Sequence, residues 1–251
     1  MAYATTEDGH RIYVRPTDPR ALGLIANKGR IIRGSLELWR VALGLHPWQT
    51  VIDIGVNYGE MLVGADLPDD VELIGFEPNV ALHKVLRKTL DARGISIDLR
   101  SQAVADKPGT ARFAVDRTWS GTSSLYDNRH EDGSARWQFR DVEVTTLDAV
   151  LGDSGRSFCA KVDVEGFERA VVDGAAKALV NTDHWALMLE IEHMDRAYLA
   201  ELARTYDVFV KEKETVTLRR VPGERAAVEG LLEDSTLHRQ DCVVLSAALV
   251  P

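Results

Sequence analysis

Val51-Ile52-Asp53-Ile54-Gly55-Val56-Asn57-Tyr58-Gly59 is the stretch on which the fold turns. Val51–Ile54 is short, apolar and β-branched, the composition of a strand buried on both faces of a parallel sheet. Gly55 and Gly59 stand four apart, which permits a tight turn and a close backbone approach. Glu60 to Leu67 then reads as a helix. A strand that feeds a glycine loop into a helix N-terminus is how doubly wound folds hold a nucleotide. Ordinary strand–helix turns carry glycines too, so the rest of the chain must decide.

Downstream, Val71–Phe76 is a second apolar strand, closed by Glu77-Pro78-Asn79. Val80–Arg93 is an amphipathic helix with Leu82, Val85, Leu86 and Leu90 on one side, stopped by Gly94. Ile95–Leu99 reads as a third strand and Gln102–Val104 as a short fourth. Pro108-Gly109 turns into a strand over Thr110–Val115. Asp116–Arg136 is a long polar loop, of a length that in a compact domain points to function or disorder. Strands follow at Phe139–Thr145, Phe158–Val162, His184–Ile191 and Cys242–Ser246, with Tyr206–Lys211 and Thr215–Arg219 pairing. Helices are expected at Thr146–Leu151, Phe167–Val180, Asp195–Thr205 and Glu224–Glu233. Alternation of strand and helix implies a parallel, doubly wound α/β sheet. Upstream, Arg11–Arg15 is a short strand, Ala21–Asn27 is helical, and Ser35 is the expected cap of a helix to Leu43. Residues 1–48 read as an extension or a cap across the ligand mouth, and 49–251 as one α/β domain.

The chain has 251 residues, a formal net charge of -9 and 45% hydrophobic residues. Its acidity argues against a broad electrostatic surface for nucleic acid or anionic membrane. Cys159 and Cys242 sit in strand-like apolar runs and form no Cys-x-x-Cys, so they read as buried hydrophobes in a reducing compartment. Residues 1–20 lack a signal-peptide core, and no apolar run nears the ~18 residues of a membrane span. The expectation is a cytoplasmic protein without membrane or nucleic-acid partners. A homodimer is the working expectation for assembly.

Glu77 ends the second strand 22 residues after Gly55. An acid there takes ribose hydroxyls in dinucleotide folds. Asn57 stands where those folds need a second glycine against a pyrophosphate, which argues against NAD. No tyrosine has a lysine four residues on, as a short-chain dehydrogenase would need. S-adenosylmethionine has a ribose and no pyrophosphate, and tolerates the bulkier loop. The loop backbone would then face its methionine part, with Asp53 near the ammonium.

Five segments in order now carry a resemblance: Val51–Gly59, Phe76-Glu77-Pro78-Asn79, Gln102–Asp106, Ser120–Leu125 ahead of Thr145–Asp148, and Lys161-Val-Asp163-Val-Glu165-Gly-Phe-Glu168. Together they resemble the FkbM family of S-adenosylmethionine-dependent methyltransferases over about Val51–Glu192. The resemblance implies a class I methyltransferase (Rossmann-like) fold of seven strands, the last antiparallel and inserted, over residues 49–251. It implies methyl transfer to an oxygen of a small molecule, a sugar or a polyketide. It places Asp53, Gly55, Asn57 and Gly59 around the methionine and ribose, Glu77 on the ribose hydroxyls and Asn79 on the adenosine side. Ala103 and Val104 would flank the adenine, and Ser120, Ser123 and Ser124 would shape the site where cofactor and acceptor meet.

Asp163 ends a buried strand at the sheet edge where open α/β folds bind ligands. Glu165 lies two residues on, and Glu190 ends the next strand. Carboxylates converging there repel unless a cation intervenes. Mg²⁺ on Asp163 and Glu190 would lower the pKa of an acceptor hydroxyl. The other reading of Asp163 and Glu165 is a helix cap before Gly166. Asp163, Glu165 and His193 are the expected catalytic groups, His193 as general base or else as a plain strand-end histidine. The acceptor is expected to be a saccharide hydroxyl, on the strength of a polar site bordered by Trp119 and Trp137. A secondary metabolite, or a non-catalytic S-adenosylmethionine-binding protein, are the alternatives.

Overall fold

The computed structural model describes residues 2–30, 33–68 and 70–250. An eight-stranded sheet forms its centre, in the order Leu218–Arg220, Asp207–Lys211, Asp241–Leu245, Trp185–Glu190, Phe158–Val162, Thr50–Ile54, Glu72–Phe76, Asp98–Arg100. The last five of these run parallel. Asp241–Leu245 is inserted antiparallel between Trp185–Glu190 and Asp207–Lys211. Leu218–Arg220 adds an eighth strand at the edge, antiparallel to Asp207–Lys211. The other seven match the implied number, with the last strand antiparallel and inserted.

Thr50–Ile54 is buried throughout and sits mid-sheet. Its side chains alternate, Ile52 and Ile54 into the core on one face and Val51 into the core on the other. That two-sided burial is why the run is apolar rather than alternating. Cys159 and Cys242 are free and buried in neighbouring strands. Helix Arg33–Gly44 lays Leu38, Trp39, Ala42 and Leu43 into the Val51 face.

Three expectations need correction. Ala103–Val104, Gly109–Asp116 and Trp137–Thr145 do not join the central sheet. With Ser124–Leu125 they form a second, four-stranded sheet between the third and fourth parallel strands. The register Gly109↔Val144 to Asp116↔Trp137 is a long antiparallel ladder, so these two strands spend their hydrogen bonds on each other and on the two short strands beside them. The helix expected over Phe167–Val180 is two, Glu168–Asp173 and Ala176–Asn181. The break falls at Gly174, where a Cβ would lie 2.1 Å from the Ala105 carbonyl oxygen, so the backbones touch there. Ser35 does not cap its helix. It lies inside Arg33–Gly44, and its hydroxyl donates to Asp241 Oδ2 at 2.5 Å.

The N-terminal hairpin, Ala2–Thr5 with Arg11–Val14, packs on helix His83–Arg93, where Tyr13 N donates to Thr89 Oγ1 at 2.9 Å. Helix Pro19–Ala26 is capped by Asp18, which also accepts the Tyr58 hydroxyl at 2.6 Å. The cap thereby fixes the helix to the glycine loop. Among the described residues, no helix is long and apolar enough to cross a membrane.

Candidate active site

A cavity of about 270 Å³ opens at the C-terminal edge of the parallel strands. One side is the glycine loop. Gly55 adopts φ +89°, and a Cβ on it would fall 2.0 Å from the Asp163 carbonyl oxygen. Only glycine lets the first and fourth parallel strands close up there. Asn57 also has positive φ, and Arg20 holds its Oδ1 at 3.0 Å.

Glu77 is buried, and its two oxygens accept from Asn57 N and Asn79 N, each at 2.8 Å. Burial raises its pKa to about 7 even though both N–H groups favour the anion. The acid therefore braces the loop from the second strand while one face lines the cavity. Ala103, Val104 and Ser124 line it too, from the second sheet.

The opposite wall carries Asp163, Glu165 and Glu190. Each offers an oxygen within 4.8 Å of those of the other two. Glu165 sits at φ +57°, a conformation a side-chain-bearing residue holds only under constraint. The constraint is buried Glu168, whose carboxylate accepts from Val164 N and Gly166 N at 3.1 Å. From the other side, Arg129 donates to the Glu165 carbonyl at 2.7 Å. Burial, and then the Asp163 charge, push the Glu165 carboxyl up to about 8. The same causes hold the Glu190 carboxyl far above the usual range, and its Oε2 is buried without a partner.

Lys161 lies between the two walls. Its Nζ is 3.3 Å from Asp53 Oδ1, Asp163 Oδ2 and the Gly55 carbonyl. Burial would lower the Lys161 pKa, but Asp53 and Asp163 carry it above the usual lysine value, while burial leaves the Asp53 carboxyl raised despite the ammonium beside it. The second Asp53 oxygen is buried and unpartnered.

The segment expected as a loop, Asp116–Arg136, is ordered by Asp116. That carboxylate accepts from Thr118 N, Thr118 Oγ1, Trp119 N, Thr122 Oγ1 and Arg136 Nε. Burial opposes its charge, but Arg136, Thr122 and Thr118 bring its pKa down to about 2. Short 3₁₀ turns, Ser120–Thr122 and Asn128–His130, and the strand Ser124–Leu125 interrupt the segment. Ser120, Ser123 and Ser124 then face the cavity, with Trp119 beside them.

Of the residues named from sequence, Gly55, Asn57, Glu77, Ala103, Val104, Ser124, Asp163, Glu165 and Glu190 line one cavity. Asp53, Gly59 and Asn79 stand behind its wall. Asp53 braces Lys161, Gly59 is the residue before helix Glu60–Gly64, and Asn79 Oδ1 accepts from Ala81 N at 3.3 Å. The structure does not bring His193 into the lining. Its half-exposed ring lies 4.0 Å from Glu165. Sequence reading missed Arg20, Glu60 and Asp241, which line the cavity; Glu60 directly follows the glycine loop, and Arg20 and Asp241 come from segments with no motif of their own.

A glycine loop on the first strand, an acid ending the second and an antiparallel last strand define the class I methyltransferase fold. The methyltransferase FkbM domain model matches residues 53–213, and the chain belongs to that family. No curated protein matches the chain significantly. Among solved structures, the O-methyltransferase TomG from Streptomyces achromogenes, in complex with SAM, aligns at 11% identity. The alignment covers 88% of this chain and 83% of that one, with a TM-score of 0.46. A precorrin-6y C5,15-methyltransferase from Geobacter metallireducens GS-15 aligns at 12% identity over 89% and 91% of the two chains, with a TM-score of 0.42. An rRNA methylase from Streptococcus thermophilus aligns at 13% over 86% and 98%, with a TM-score of 0.40. Likeness at this distance says nothing about the acceptor.

Proposed function

We propose that the protein moves a methyl group from S-adenosylmethionine to a hydroxyl of a small molecule, a saccharide in the first instance, with a divalent cation at the acceptor. The observation that carries this reading is the Asp163–Glu165–Glu190 cluster. Its oxygens lie within 4.8 Å of one another, on the cavity that the glycine loop also lines. The buried, unpartnered Glu190 Oε2 fits a hard cation, and the all-oxygen donor set suits Mg²⁺.

The cofactor supplies an electrophilic methyl on a sulfonium, and a bound cation would lower the pKa of the acceptor hydroxyl. This chain's residues do the rest. Glu77 accepts from ribose hydroxyls with the lone pairs that its two backbone bonds leave. Ala103 and Val104 offer an apolar flank for the base. Asp163, Glu165 and Glu190 would hold the cation. Lys161 pairs with Asp163 at 3.3 Å and fixes it against the glycine loop. The segment around Ser120–Ser124 and the N-terminal residues Arg20, Arg30, Ser35 and Leu36 close the cavity from above. Residues 1–48 thus act as a cap to the 49–251 domain. The walls orient donor and acceptor in line, which supplies most of what sulfonium transfer needs.

The net charge of -9 supports a small-molecule acceptor over nucleic acid. The test is transfer of labelled methyl to a panel of glycosides, phenols and amines, with MgCl₂ or with EDTA. Oxygen methylation of a glycoside that EDTA abolishes is the expected result. Methylation confined to amines, or unaffected by EDTA, would overturn the acceptor or the cation assignment respectively.

A further inference from the structure

Arg20 is contributed by helix Pro19–Ala26, outside every segment that carries the family resemblance. It is 9% exposed and lines the cavity. Among the described lining residues the cations are Arg20, Arg30 and Lys161. Lys161 is committed to Asp53, Asp163 and the Gly55 carbonyl. Arg30 reaches outward to Glu7. Arg20 instead points at the glycine loop. It donates to Asn57 Oδ1 at 3.0 Å and pairs with Glu60 Oε1 at 2.5 Å. These contacts occupy two of its five N–H donors. Glu60 is itself 9% exposed, and its Oε2 is buried with no partner. An arginine with donors to spare therefore stands beside a carboxylate oxygen with nothing to accept.

This inference rests on S-adenosylmethionine being the ligand. That molecule carries three arms on one sulfur: the ribose, the methyl and an amino-acid chain. With the ribose at Glu77 and the methyl toward Asp163 and Glu190, the amino-acid arm is left the direction of Asn57 and Glu60. Its end is a zwitterion, a carboxylate beside an ammonium. Arg20 and Glu60 present the opposite zwitterion, already desolvated and held by the fold.

We infer that Arg20 anchors the cofactor's α-carboxylate and Glu60 Oε2 its α-ammonium, so that the N-terminal extension reads the amino-acid end of the cofactor. A planar guanidinium suits a carboxylate in the bidentate manner. The extension is thereby coupled to cofactor binding through Asp18, which caps Arg20's helix, accepts the Tyr58 hydroxyl and takes Ser120 N at 3.3 Å. The glycine loop, the extension and the Asp116–Arg136 segment meet at that one carboxylate.

Calorimetry on the full chain tests this with three ligands: S-adenosylhomocysteine, its decarboxylated analogue and 5′-methylthioadenosine, which lacks the whole amino-acid arm. The wild type is expected to prefer S-adenosylhomocysteine over the decarboxylated analogue by about 10- to 100-fold, the range for hydrogen bonds to charged groups. Arg20→Met should abolish that preference and leave 5′-methylthioadenosine binding within about twofold, since that ligand has no carboxylate for Arg20 to hold. Should Arg20→Met lose 5′-methylthioadenosine as well, Arg20→Lys decides. It retains the charge, and partial recovery of the preference supports the anchor, whereas none overturns it. A wild type that binds both amino-acid ligands equally, or an Arg20→Met variant that keeps full discrimination, also overturns it. A wild type that binds none of the three would instead remove the S-adenosylmethionine reading itself.

Discussion

Gly55→Ala should cripple the fold at its centre, and its cost can be worked from the structure. Two effects add. Gly55 has φ +89°, and an L-residue in left-handed backbone costs about 1–2 kcal/mol. The new methyl would also stand 2.0 Å from the Asp163 carbonyl oxygen, where real Cβ contacts stay beyond 3.0 Å. Backbone is on both sides, so relief requires the first and fourth strands to part at their ends. That strains Asp163 N to Ile54 O, at 3.1 Å, and Gly55 N to Phe76 O, at 2.9 Å. At roughly 1 kcal/mol net for each bond, the total is about 3–4 kcal/mol, a large share of a typical stability of about 5–15. Gly94→Ala is the control. It has φ +73° with nothing within 4 Å of the added Cβ, so it bears the backbone cost alone. Urea or thermal unfolding of both variants measures the difference. The extra cost of about 2 kcal/mol should make Gly55→Ala melt about 4–8 °C below Gly94→Ala in a chain of this size. Equal losses in the two variants would refute the close-approach argument.

Other consequences are open to measurement. Glu77 holds its proton to about pH 7 and Glu165 to about 8, against 4.5 for an ordinary glutamate. The native state then binds more protons than the unfolded chain between those values, so stability of the cation-free protein should fall as pH rises from 4.5 to 8. A flat profile in chemical denaturation with EDTA present would contradict it. Cation binding at pH 7 should expel about one to two protons, because a metal-bound carboxylate must ionise. Calorimetry in buffers of different ionisation enthalpy reads that number, and buffer-independent heats would exclude it. Asp116→Ala removes five accepted bonds and leaves Arg136 without its carboxylate. A loss of about 3 kcal/mol is expected, with faster amide exchange over Arg117–Arg136. Unchanged protection there would show that the segment is held by something else. Glu168→Ala should weaken Mg²⁺ binding by about tenfold or more with little effect on S-adenosylhomocysteine, because it frees only the backbone that aims Glu165.

The local elements were legible wherever composition and burial agree. Val51–Ile54 is apolar because both faces are covered, and Glu77 is recognisable because a strand ends just before it. The pairing of Tyr206–Lys211 with the strand after it was legible too, but not that of strands far apart in sequence. Thr110–Val115 and Phe139–Thr145 read correctly as strands, yet nothing local says that they pair with each other across the Asp116–Arg136 segment rather than join the main sheet. Gly174 looks like any helix glycine until the Ala105 carbonyl is seen against it. The site divides the same way. Asp163, Glu165 and Glu190 sit at strand ends, and topology alone brings strand ends together. Arg20 and Asp241 reach the cavity from opposite ends of the chain and carry no pattern that marks them.

The central claim is that one cavity holds the methyl donor on the glycine loop and a cation on the facing carboxylates. A crystal structure of the complex with S-adenosylhomocysteine and Mg²⁺ tests it most directly. The account expects ribose density on Glu77, the sulfur facing Asp163 and Glu190, and an ion ligated by those two residues and Glu165. Ligand bound with its sulfur turned from the cluster, or a cluster free of metal at saturating Mg²⁺, would contradict it.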